Sequence, residues 1–120
     1  MSERRSKPTG TLLSMVGLAL RAGQLAVGAE AVAAALGRGR AHLVVLARDL
    51  SAGSRRRVER AAGAVPTVSL GESMAALGQA LGRNPTGMAA VLDVHLAREI
   101  QRRHQFPDGG EGGPSGRLAG

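Results

Sequence analysis

Few residues in this chain have catalytic potential, and they are scattered. There are three histidines, His42, His95 and His104, and no cysteine. No histidine has a second ligand at a metal-binding spacing, such as another histidine four residues away. The lack of thiols removes disulfides, Cys-ligated zinc, iron–sulfur clusters and thiol nucleophiles together. Asp49 and Asp93 each follow a predicted strand, where open α/β sheets often hold catalytic groups. Capping of the next helix explains both and is the preferred reading. There is no G-x-S-x-G elbow and no Walker loop. Gly37-Arg38-Gly39-Arg40 follows a helix and precedes a strand, the reverse of the order that presents a helix N-terminus to a phosphate. No catalytic residue, metal ion or cofactor is expected.

The binding chemistry is richer. Three loops carry polar or basic groups, two of them beside glycine or proline: Gly23-Gln24 through Gly28-Ala29-Glu30, Arg48-Asp49, and Arg83-Asn84-Pro85-Thr86. Gly28 lets backbone come close to a ligand, and the helix after it starts with unpaired N–H groups. Arg38 and Arg40 close that helix, and its packing on a sheet would bring these segments to one edge. Arg55-Arg56-Arg57 with Arg60 form a separate basic run, read as a solvated helix face because consecutive residues point around a helix. The chain carries 16 Lys and Arg against 9 Asp and Glu, a net charge of +7. Most of the excess falls between residues 11 and 106. A basic folded surface suits a polyanionic partner, most simply nucleic acid. With one aromatic residue, Phe106, and no Trp or Tyr, stacking of bases on Trp or Tyr is excluded.

These loops need elements to hold them. The length of 120 residues allows one domain. Leu12, Leu13, Val16, Ala19 and Leu20 mark one face of a helix that begins at Thr9, is capped by Thr9 or Thr11, and stops at Gly23. Leu25-Ala26-Val27 reads as a short strand. A second helix follows Gly28, with Val32, Ala35 and Leu36 as its buried stripe. His42 to Ala47 is a continuous apolar run, the mark of a strand covered on both faces. Asp49 or Ser51 caps a third helix that runs through the arginines to Ala62. Pro66 to Leu70 is a strand, Ser73 to Leu81 a helix, Met88 to Leu92 the last strand and Leu96 to His104 the last helix. Helices alternating with short strands give an α/β fold, a three-layer α-β-α sandwich on a small mixed sheet of about four strands. No apolar run is long enough to span a bilayer. The first helix, broken by Gly17 and Arg21, reads as folded structure and not as a signal peptide, so a cytoplasmic location is expected. Residues 1–8 read as a flexible basic arm and 107–120 as a disordered Gly-rich tail.

The order of segments resembles a known family. Leu12-Leu13-Ser14-Met15-Val16-Gly17-Leu18-Ala19-Leu20-Arg21-Ala22-Gly23-Gln24-Leu25 is similar to the opening of the bacterial YlxQ-like proteins. Gly28-Ala29-Glu30 with its helix, ending in Arg38-Gly39-Arg40-Ala41-His42-Leu43-Val44, is similar too. Leu77-Gly78-Gln79-Ala80-Leu81-Gly82 looks like the L-G-x-A-x-G segment of the kink-turn RNA-binding ribosomal protein superfamily, the seven-Ae and thirty-e type. The resemblance covers roughly residues 9–100. It implies a single ribosomal-protein-like RNA-binding domain over residues 9–106, with no enzymatic activity. Structured RNA is the implied partner, ribosomal RNA among the candidates, with no membrane and no small-molecule substrate. The implied contacts lie in three loops on one edge of the sandwich: Gly28, Ala29 and Glu30 with Arg38 and Arg40, then Arg48, then Arg83, Asn84, Pro85 and Thr86. The chain departs from the family's Gly-x-Asn-Glu helix start, having Glu30 for the Asn and Ala31 for the Glu. Ala34 stands for a Lys one turn later. Ala31 cannot bond a guanine edge, which leaves phosphate and shape recognition better supported than base readout. The alternative reading is a protein-interaction module of the same fold that has lost kink-turn binding, with Ala31 and Ala34 making the helix start apolar.

Overall fold

The computed structural model describes residues 8–105, with side chains from Leu12 onward. The elements run in the order α1 (Pro8–Arg21), β1 (Leu25–Val27), α2 (Ala29–Gly37), β2 (Leu43–Leu46), α3 (Ala52–Ala62), β3 (Thr67–Ser69), α4 (Met74–Ala80), β4 (Met88–Val91) and α5 (Val94–Gln105). The four strands form one sheet in the order β1-β4-β2-β3. β4 pairs antiparallel with β1 on one side and β2 on the other, and β2 pairs parallel with β3. A parallel pair needs a crossover, which α3 supplies.

The apolar run of β2 is buried along its whole length, as is β4 beside it. Successive strand side chains point to opposite faces. Leu43 and Val45 therefore enter one core, with Leu12 and Val16 of α1, Leu77 of α4 and Ile100 of α5. Val44 and Leu46 enter the other, with Val32 and Ala35 of α2 and Val58 of α3. Three helices thus cover one face and two the other, the expected α-β-α sandwich with a mixed sheet. Alanine fills the centre of both layers, with Ala89 and Ala90 of β4 fully buried on opposite faces.

Several boundaries differ from the sequence reading. α1 starts at Pro8, so Thr9 and Thr11 lie inside the helix and not at its cap. Proline suits a first helical position, where its missing N–H has no partner to lose. Of the two candidate caps for α3, Ser51 does the work: its hydroxyl oxygen accepts from the Ser54 N–H at 3.2 Å. α5 begins at Val94, two residues early, because the Asp93 carboxylate accepts from the N–H groups of His95 and Leu96 at 2.7 and 3.0 Å. The expected basic arm, apart from Pro8, lies outside the described residues, as do Phe106 and the expected Gly-rich tail. No helix of the described residues is long and apolar enough to cross a membrane.

Candidate functional site

Strand register decides which loops meet. Val27 of β1 sits opposite Ala89 and Leu46 of β2 opposite Met88, both at the start of β4. The Gly28 N–H continues the ladder to the Met88 carbonyl at 3.0 Å, and the Ala47 N–H to the Gly87 carbonyl at 2.9 Å. β3 ends beside β2, with Ser69 opposite Leu46. The segments after β1, after β2, after β3 and before β4 therefore crowd one edge of the sheet. Between the first and the last of them opens a cleft of about 780 Å³, walled by Val27–Ala29 on one side and Gly82–Gly87 on the other.

The α2 wall presents backbone. Gly28 has φ 97° and ψ 161°, a conformation essentially reserved for glycine. Its carbonyl accepts from the Val32 N–H at 2.9 Å and opens the helix. No side chain caps α2, whereas Ser51, Ser73 and Asp93 cap α3, α4 and α5. The first N–H groups of α2 are thus free of a cap at the cleft, with the partial positive charge of a helix start behind them. Ala29 and Glu30 are exposed there, and Ala31 is half-buried.

The opposite wall is a loop held from below. Gly82 follows the Leu81 cap of α4, and its φ of 68° is left-handed. The Arg83 N–H then reaches back to the Gly78 carbonyl at 2.8 Å and the Gly82 N–H to Gln79 at 3.1 Å, which closes a Schellman turn. A Cβ on Gly78 would overlap the Asn84 carbonyl and lie 2.9 Å from the Pro85 Cα. Only glycine lets the loop rest on α4 in this way. Arg83, Asn84 and Pro85 are exposed. Thr86 lines the cleft but is 7% exposed, and its hydroxyl donates to the Asn84 carbonyl at 2.8 Å.

The middle loop braces the other two. The Asp49 carboxylate accepts from the Met74 N–H at 2.8 Å, and the Met74 carbonyl accepts from the Thr86 N–H at 2.9 Å. Asp49 thus supports the start of α4, not of α3. Arg48 is exposed, and its guanidinium donates to the Gly71 carbonyl at 2.9 Å. Arg55 does not belong to a freely solvated basic face. It donates to the Ser69 hydroxyl at 2.6 Å and leans on the Ala47 carbonyl at 3.4 Å, tying the ends of β2 and β3 together. Arg56, Arg57 and Arg60 are exposed.

Arg38 and Arg40 do not share this edge. They follow the nine-residue α2, which rises about 13 Å from Gly28. The chain then enters β2 beside the far end of β4, where the His42 N–H donates to the Val91 carbonyl at 2.9 Å. Gly23 and Gln24 also lie at that end, with the Leu92 N–H donating to the Gln24 carbonyl at 2.8 Å. Of the sequence-derived site, the structure gathers Gly28–Glu30, Arg48 and Arg83–Thr86, and sets Arg38 and Arg40 apart. Asp93 lies at the far end as a cap. The N–H of Leu96 foremost, then that of His95 and the nearby His95 and His42, hold its carboxyl below the ordinary value. Among the described residues, no group of three or more His, Cys, Asp or Glu could hold a metal ion.

The model of the ribosomal protein L7Ae/L30e/S12e/Gadd45 family matches residues 11–100. The chain belongs to this family. Among solved structures, a protein of unknown function from Bacillus halodurans is 30% identical, with a TM-score of 0.69 over 75% of this chain and 92% of that one. The Giardia lamblia 15.5kD RNA binding protein is 22% identical, with a TM-score of 0.66 over 85% and 92% of the two chains; at that identity the likeness is one of fold. No curated protein matches the chain. The span shared with the L7Ae/L30e/S12e/Gadd45 family takes in every loop at the crowded edge. Three supports there escape sequence reasoning: the Met74 backbone, the Arg55 clamp and the packing of Gly78. Only Gly78 leaves a sequence signal, the glycine of its L-G-x-A-x-G segment.

Proposed function

We propose that this chain binds structured RNA, without catalysis, at the crowded edge of its sheet. The observation that supports this most is the cleft itself. The uncapped start of α2 faces the exposed Arg83-Asn84-Pro85 segment across it. Backbone N–H groups and arginines together suit phosphate and irregular, unstacked RNA. Gly28 and Ala29 offer close backbone approach. Arg48 and Arg83 neutralise phosphates, Asn84 bonds polar edges, Pro85 packs on an unstacked nucleotide and Thr86 fixes the loop. A stem running along α2 would meet Arg38 and Arg40 at the other end. Family membership and the RNA-binding Giardia neighbour favour RNA as the partner, and the order of segments favours the bacterial YlxQ-like branch.

Glu30 and Ala31 stand where guanine-reading side chains would be, so the expected mode is phosphate and shape recognition. The test is a salt-titrated binding assay with a kink-turn stem and the same stem with its sheared G·A pairs made Watson–Crick. Salt-sensitive binding to both, within threefold, is the expected result. A tenfold preference for the kink-turn, about 1.4 kcal/mol, would show that Glu30 and the backbone replace the missing pair. Absence of binding to either would transfer the function to protein interaction.

A further inference from the structure

A second groove lies between α2 and α3, on the outer side of that helical layer. It encloses about 320 Å³ and is floored by the apolar side chains of Val32, Val58 and Met88. On the α2 wall, Ala29, Ala33 and Leu36 recur at i, i+4 and i+7, a row of small or aliphatic groups along one helix face. Ala33 on this wall and Ala61 on the α3 wall are exposed. Apart from Ala29 at the uncapped start of α2, both walls are helix positions whose backbone groups are satisfied internally, so most of the trough offers little to the hydrogen-bonding edges of a nucleobase. Small rims and an apolar floor instead admit the ridge of a third helix.

Charge decides what kind of helix. Arg57 is the one charged side chain lining the groove, and it is exposed. Arg60, three residues on, is exposed on the adjoining side of α3. The α3 acid, Glu59, follows Arg55 by four residues and so shares the side of the helix that faces β3. An apolar trough with an arginine on its rim and no acid in its lining is complementary to an apolar ridge bordered by carboxylates. We propose that this groove docks a short acidic amphipathic helix of a partner protein, its apolar anchors on Leu36, Val58 and Met88 and a carboxylate paired with Arg57. This surface meets the RNA cleft only at Ala29 and does not depend on that reading.

The test uses the full chain and a synthetic helical peptide of about 15 residues, long enough to be helical when bound. The peptide has leucines at i, i+4 and i+7 and glutamates on the flanks. A second peptide has lysine at every glutamate. Amide shifts of the labelled chain are followed on titration. Shifts at Ala33, Leu36 and Ala61, with at least tenfold weaker binding of the lysine peptide and of the Arg57→Glu chain, support the proposal. The Ala33→Gln/Ala61→Gln chain, altered only at exposed helical positions that glutamine tolerates, should melt like the parent and lose the peptide. Four results would overturn the idea. They are no shifts in the groove at millimolar peptide, equal binding of both peptides, a concentration-dependent dimer abolished by the two glutamines, or an Arg57→Glu loss of RNA affinity as large as that of Arg83→Ala.

Discussion

Two glycines shape the walls of the cleft for different physical reasons. At Gly28 the backbone conformation itself excludes a side chain, while the space around it is open. Gly28→Ala should cost about 1–3 kcal/mol in chemical denaturation and displace the start of α2. At Gly78 the conformation is ordinary helix and the obstacle is the loop lying on it. Gly78→Ala should leave the helical signal intact, yet weaken RNA binding by pushing Asn84 and Pro85 outward. Unchanged RNA affinity in Gly78→Ala would separate that loop from the site. The far end of the sheet has its own residue-scale test. The N–H groups capped by Asp93, and the Arg103 and Arg102 partners of Glu99, lower both carboxyl pKa values in the folded state. Such groups contribute stability that is present above the unfolded value and is lost as pH falls through the folded one. Thermal melts from neutral pH to about pH 3, below the ordinary carboxylate range, should show a steeper loss for the parent than for Asp93→Asn. Parallel losses would mean that the charge on the cap contributes nothing, since asparagine caps as well as aspartate.

Elements were mostly legible in the sequence because their signals are local. The continuous apolar run from His42 to Ala47 marks a two-sided strand, realised at Leu43–Leu46, and the 3–4 spacing from Leu12 to Leu20 marks the buried face of α1. Leu77 is fully buried where α4 meets the sheet, so Leu77→Ala should cost about 2–5 kcal/mol and release the Arg83–Thr86 loop with it. A cost under about 1 kcal/mol would show that α4 is not what seats the loop. Helix starts were harder to read, since a cap depends on one side chain reaching one N–H. Ser51 and Asp49 were equivalent candidates for α3 until the fold sent Asp49 to Met74, 25 residues along the chain. Arg55 looked like one solvated arginine in a run of three. Its clamp on Ser69 exists only because β3 pairs parallel to β2. The grouping of Arg38 and Arg40 with Gly28 failed for a geometric reason: a helix start and a helix end cannot occupy the same edge.

For the whole molecule, the sheet order brings the exits of β1, β2 and β3 and the entry of β4 to one edge, and family membership follows the same span of chain. The net charge of +7 is spread widely, so charge by itself cannot say which surface meets a polyanion. Arg102 and Arg103, on α5, are engaged with Glu99 at 2.5 and 2.9 Å, whereas Arg83 stands at the cleft. The most direct measurement is therefore the salt dependence of RNA affinity for the parent chain, Arg83→Ala and Arg102→Ala/Arg103→Ala. If the cleft edge holds the RNA, Arg83→Ala lowers the slope of log K against log salt by about 0.7–0.9, one phosphate contact, and the α5 pair leaves it unchanged. A parent slope retained in Arg83→Ala but lost in the α5 variant would place the RNA on the α5 surface and contradict the account.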